Sequence, residues 1–159
     1  MSFPIENIRP LTHQEVFDIA LRTMRNRNYT KSVNESGLSC MYRSLFGPCA
    51  IGACIPDALY DPEMESGTMN GGGISFLLQY QNNFPNIKQL FIGCGLTFLE
   101  EIQSCHDSLN KFFTKKEMKE SFENAMYKVA QTFNVQFTGL DEQYPTDYDP
   151  NKDERYQLK

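Results

Sequence analysis

Cys40-Met-Tyr-Arg-Ser-Leu-Phe-Gly-Pro-Cys-Ala-Ile-Gly-Ala-Cys-Ile-Pro-Asp-Ala-Leu-Tyr-Asp-Pro-Glu-Met-Glu65 sets turn formers, small residues and isolated polar groups side by side. Leu38 to Tyr42 reads as a strand, and Ser44 to Pro48 as a turn built on Gly47 and Pro48. The apolar run Cys49 to Ile55 is too short for periodicity to separate a buried strand from a buried helical turn. Pro56 ends that run, because the residue before a proline avoids helical angles. Pro56 to Glu65, rich in Asp, Tyr and Pro, reads as a compact ordered loop.

The flanks are helical. Thr12-His-Gln-Glu15 has the form of a capping box, in which hydroxyl and carboxylate each take a backbone N–H of the first turn. Val16, Phe17, Ala20, Leu21 and Met24 follow on one stripe, which predicts a helix from His13 to about Arg27. Beyond the centre, Ile74 to Gln81 begins a helix that Asn82 to Pro85 breaks. Leu96 to His106 places Leu96, Leu99, Ile102 and Cys105 on one stripe. A second capping box, Thr114-Lys-Lys-Glu117, opens the clearest amphipathic helix, with Met118, Phe122, Ala125, Met126, Val129 and Phe133 on one face. Val135 to Phe137 reads as a short strand. The expected architecture is α+β: a small single domain of about four helices with a short strand pair or small sheet. Residues 1–140 make the globular domain, and 141–159 read as a polar, partly disordered tail.

A chain of 159 residues can bury a core without disulfides or metal. Its net charge of -5 opposes a nucleic-acid partner, whose affinity comes largely from Lys and Arg releasing counterions. The five cysteines are odd in number and irregularly spaced, so they do not form a disulfide framework. No Cys-x-x-Cys pair suggests zinc. No leader pattern stands at the N-terminus and no apolar stretch approaches a membrane span, so the expectation is a cytoplasmic protein with reduced thiols and no membrane partner. Gly71-Gly72-Gly73 is followed by no Lys-Ser/Thr and reads as a flexible connector rather than a phosphate loop.

The central segment resembles a group of small proteins encoded by phages and prophages. The resemblance rests on Cys40, Tyr42, Arg43, Gly47, Cys49 to Gly52, Ile55 to Asp57, Tyr60, Met64 and Glu65. A second part is His106-Asp107 followed by the last amphipathic helix. It covers about two-thirds of the chain and departs around Asn70 to Phe91 and in the C-terminal tail. It implies a phage setting, hence the host cytoplasm, and a shared fold; it implies no activity.

The candidate ligand-binding residues are Tyr42, Arg43, Asp57, Tyr60, Glu65 and His106. The Arg43 guanidinium is a rigid fork of donors that fits a carboxylate or a phosphate. It either staples its own acidic loop (Asp57, Asp61, Glu63, Glu65) or opens onto a ligand; the staple is the commoner arrangement. Tyr42 and Tyr60 serve either as core or as stacking faces. His106, at a helix end, either caps the helix dipole as a cation or joins the pocket. Asp107, being its neighbour on the helix, is not expected to orient it. No catalytic residue, cofactor or metal is expected. The leading reading is a phage-type accessory protein that binds a small anionic or nucleotide ligand and sequesters a host defence signal. The alternatives are an inhibitor that binds a host protein through Tyr144, Tyr148 and Tyr156, and a nucleotide hydrolase using His106 with Asp57 or Glu65. Homo-oligomerisation stays open.

Overall fold

The computed structural model describes residues 3–33, 40–65, 74, 77–78 and 84–157. Both capping boxes form. Glu15 donates its N–H to the Thr12 hydroxyl at 3.1 Å and accepts the Thr12 N–H at 3.0 Å, opening α1 (His13–Asn26). The chain then leaves the helix through left-handed backbone at Asn28 and Tyr29. A two-residue strand pair follows, β1 (Arg43–Ser44) and β2 (Gly47–Pro48), antiparallel, with Arg43 opposite Pro48 and Ser44 opposite Gly47. Three more helices follow: α2 (Pro85–Leu90), α3 (Leu96–Asp107) and α4 (Lys115–Phe133). The chain is therefore a small α+β unit, with these four helices and one hairpin among the described residues.

Helices α3 and α4 pack along each other, while α1 lies against α3 and against the short turn Gly52–Cys54. Phe17, Leu21 and Met24 of α1 meet Phe98, Leu99 and Ile102 of α3 and Phe122 and Met126 of α4 in one buried core. Each such side chain contributes about 1.5–3 kcal/mol on leaving water, which explains why the striped segments are the helices.

The Cys49 to Ile55 run, left open between strand and helical turn, is a turn leading into a short 3-10 helix at Gly52–Cys54: the Ala53 N–H reaches the Cys49 carbonyl at 2.9 Å and Cys54 reaches Ile51 at 2.9 Å. Several local expectations change. Pairing starts at Arg43 instead of within Leu38–Tyr42; of that segment, Cys40 makes only an isolated bridge to Val33, and residues 38–39 lie outside the described ones. Val135 to Phe137 forms no strand, because Phe137 turns inward onto the rings of Phe17 and Tyr127. Pro85 opens the unforeseen α2, where its missing N–H would have had no partner anyway. The Gly71–Gly73 connector and most of the helix expected from Ile74 lie outside the described residues.

The segment read as a polar tail is bonded to the body as far as Tyr156. Asp18, fully buried, accepts the Thr146 N–H at 3.1 Å, and Arg22 donates to the carbonyls of Thr146 and Tyr148. The Tyr156 phenol accepts the Arg9 N–H at 2.8 Å, and the Arg9 guanidinium lies 3.9 Å from the Tyr148 ring centre. These anchors are polar, so a hydrophobic pattern does not reveal them.

Among the described glycines the closest backbone approach is at Gly52. A Cβ there would sit 2.0 Å from the Tyr42 carbonyl oxygen, which also accepts the Cys49 N–H at 3.0 Å. Gly52→Ala is expected to lower unfolding stability by about 2–4 kcal/mol in a denaturant titration, since the obstacle is backbone. Gly95→Ala, where a Cβ meets nothing within 4 Å, is expected to stay within about 1 kcal/mol of the parent. Equal effects of the two would refute the crossing.

Candidate functional site

The centre is tied at both ends by one carboxylate. Glu65, buried, accepts the Tyr42 N–H on Oε1 at 2.9 Å. Its Oε2 accepts the Arg43 N–H at 2.9 Å and the Tyr60 hydroxyl at 2.7 Å. Burial, and then the bond donated to Glu65, push the Tyr60 phenol far above its ordinary range. With its backbone held, Arg43 extends along the loop. Nη1 meets Asp57 Oδ1 at 2.6 Å, Nη2 donates to the Ile55 carbonyl at 2.7 Å, and the guanidinium lies 4.5 Å from the Tyr60 ring centre.

Five of the six residues singled out from the sequence therefore meet. Asp57 is the staple for Arg43, and Tyr60 stacks on Arg43 rather than presenting an open face. Tyr42 is core: its ring is buried, burial raises its phenol strongly, and its hydroxyl finds no partner among the described residues.

A cleft of about 430 Å³ opens beside the staple. Arg22, Thr23 and Asn26 of α1 form one wall, Arg43 and the hairpin another, and Asp149 to Asn151 close the end. Beneath the hairpin lies Arg27, which donates to the Pro48 carbonyl. Gly47, at φ +101, lets the strand cross it; a Cβ would come 3.1 Å from the guanidinium. The Nε and Nη2 groups of Arg27 are buried with no partner among the described residues, and burial lowers its pKa. Arg22 and Arg27 escaped the sequence reading, because the polar face of an amphipathic helix reads as solvated.

His106 is not brought into the cleft. It is wholly buried on the other side of the Cys49–Gly52 turn, where its Nε2 accepts the Ser32 N–H at 2.8 Å. A backbone N–H can only donate, so the ring proton sits on Nδ1, which donates to Asp107 Oδ1 at 2.7 Å. Two expectations are thus corrected. Asp107 does orient His106, since at the last residue of α3 its side chain folds back onto its neighbour's ring. And His106 is no cationic cap, because burial outweighs Asp107 and lowers its pKa. The chain of bonds continues. Gln103 donates to Asp107 at 2.8 Å and accepts the Cys49 thiol at 3.4 Å, and Cys49 sulfur accepts the Gly52 N–H at 3.2 Å.

Cys40, His106 and Asp107 place one ligand atom each within 4.8 Å of one another. The set does not suit a metal. Both imidazole nitrogens are committed, and a metal on Nδ1 would drive the proton to Nε2, against the Ser32 N–H. Lys31, an ammonium bonded to the Asp107 and Leu109 carbonyls, also adjoins Cys40. Thiolate chemistry is equally disfavoured: burial pushes Cys40 up to about 11 and Cys49 up to about 12. Comparison of the chain with protein-family models, curated proteins and solved structures returned no match.

The buried neutral imidazole has a consequence for pH. Unfolding frees His106 to take a proton near its ordinary 6.5, whereas the folded state resists it. The unfolded state therefore binds more protons below pH 6.5, and this contribution to stability falls as pH drops, by at most about 1.4 kcal/mol per unit. Ring ¹⁵N spectra of the two histidines are expected to keep His106 as the Nδ1–H tautomer at pH 6.5. A His106 midpoint at or above 6.5 would contradict the burial.

Proposed function

We propose that this chain is a binding module whose cleft takes a small anionic ligand, and that it works by capture rather than turnover. The supporting observation is a pair of guanidiniums in the cleft. Arg22 and Arg43 line it together with Asp57 and Asp149, and of the two only Arg43 has a carboxylate ion-pair partner among the described residues. That partner, the Asp57 side chain, is 72% exposed. An ion pair so wet is worth about 0–1 kcal/mol, so a ligand's phosphate or carboxylate can replace it on Arg43 at little cost. Asp57 is thus a resident stand-in for the ligand's charge, and Arg43 needs no reorganisation to bind. The side-chain amides of Asn26 and Asn151 supply neutral polar groups nearby, which suit a polar guest. In the phage setting that the sequence resemblance implies, the guest is a host nucleotide signal, sequestered in the cytoplasm.

The two other readings have less support. Tyr144, Tyr148 and Tyr156, the anchors for a protein-binding inhibitor, are all engaged internally. A hydrolase built on His106 lacks an accessible imidazole, and Glu65 is occupied with amides.

Calorimetric titration with inorganic phosphate, AMP, ADP-ribose and cyclic di- and trinucleotides tests the reading. At least one is expected to bind, with Arg43→Gln weakening it about tenfold or more and Asp57→Asn leaving it as tight or tighter. Folded protein that binds none of them would remove the proposal.

A further inference from the structure

The tip of the hairpin is unlike the cleft it borders. Leu45 is 91% exposed and Phe46 53%. Tight hairpin turns favour Asn, Asp and Gly, so two large apolar side chains in water at this position add nothing to the turn or to the core. Nor is the tip loose. The Ser44 hydroxyl accepts the Phe46 N–H at 3.1 Å, donates to the Gly47 carbonyl at 3.3 Å, and is held by the Ser32 hydroxyl at 3.0 Å. Ser44 and Gly47, on either side of the tip, both line the cleft. Phe46 thus stands in the turn between two lining residues, at the edge of a hollow whose charged groups are Arg22, Arg43, Asp57 and Asp149.

A plain inorganic anion would use only the polar part of this arrangement. A molecule with an anionic end and a flat, weakly hydrated end would use both, since the guanidiniums take the charge and the ring takes the flat face. We propose that Phe46, flanked by Leu45, is the specificity-determining residue of the cleft, and that it carries the base of a nucleotide whose phosphate is held by Arg22 and Arg43. This rests on the reading of the cleft as an anion site, and it narrows the ligand class from anions to base-bearing phosphates.

AMP and ribose 5-phosphate differ only in the base, so comparing them isolates the stacking contribution. Wild-type protein is expected to bind AMP at least about fivefold more tightly than ribose 5-phosphate, the lower end of base–aromatic stacking. Phe46→Ala, an exposed change whose fold can be verified by circular dichroism, is expected to abolish that preference while leaving the affinity for ribose 5-phosphate within about twofold. Phe46→Tyr is expected to retain the preference. Equal affinities in the wild type, or a preference that survives in the Leu45→Ala/Phe46→Ala double variant, would overturn the role of Phe46 while leaving the anion site standing. Failure of both phosphates to bind would overturn this inference, and the anion site falls with it only when inorganic phosphate, ADP-ribose and the cyclic nucleotides fail as well.

Discussion

The Glu65 carboxylate is the interaction on which the rest of the centre depends. It takes two successive backbone N–H groups, those of Tyr42 and Arg43, and the hydroxyl of Tyr60. A hairpin of two residues per strand cannot hold itself together in water. Here its first strand is fixed from outside by a side chain that lies 22 residues from Arg43. That bond sets the direction in which Arg43 leaves the backbone, and with it the staple to Asp57, the stacking on Tyr60 and one wall of the cleft.

The turn Cys49–Gly52 carries this arrangement into the core from its other side. Gly52 lines the cleft and passes against the Tyr42 carbonyl, while its N–H begins the chain of bonds through Cys49, Gln103 and Asp107 to His106. The imidazole tautomer is fixed from the other end, because the Ser32 N–H can only donate to Nε2. The histidine that looks most like a catalytic group is therefore a structural pin between α3 and the Ser32 loop. The cleft, by contrast, is lined by two guanidiniums, Arg22 and Arg43, with Asp57 and Asp149 beside them, and His106 is not among its lining residues.

Helices α1, α3 and α4 were legible because their apolar stripes, and in α1 and α4 their capping boxes, are local. Thr12 with Glu15 and Thr114 with Glu117 each mark a helix start with two residues three apart. The pairing of Arg43 with an acidic neighbour was legible for the same reason, since Arg43 and Asp57 belong to one loop. What escaped was non-local and polar. Nothing near Arg22 in the sequence announces Thr146 and Tyr148 as its partners. Arg27 reads as a solvated helix end, yet its Nε and Nη2 are buried under a hairpin whose close crossing relies on glycine at residue 47. For His106 and Asp107, helical geometry argued against contact, and it failed because the helix stops there and frees the last side chain to turn back.

The most direct measurement is amide hydrogen exchange at Tyr42 and Arg43, resolved residue by residue in the native protein. Their N–H groups belong to no long strand, so the Glu65 carboxylate alone must protect them. This account predicts slow exchange at both, far slower than at the exposed hairpin tip, Leu45. Exchange at Tyr42 and Arg43 as fast as at Leu45 would show that the clamp is open in solution, and Arg43 would then have no fixed place beside the cleft.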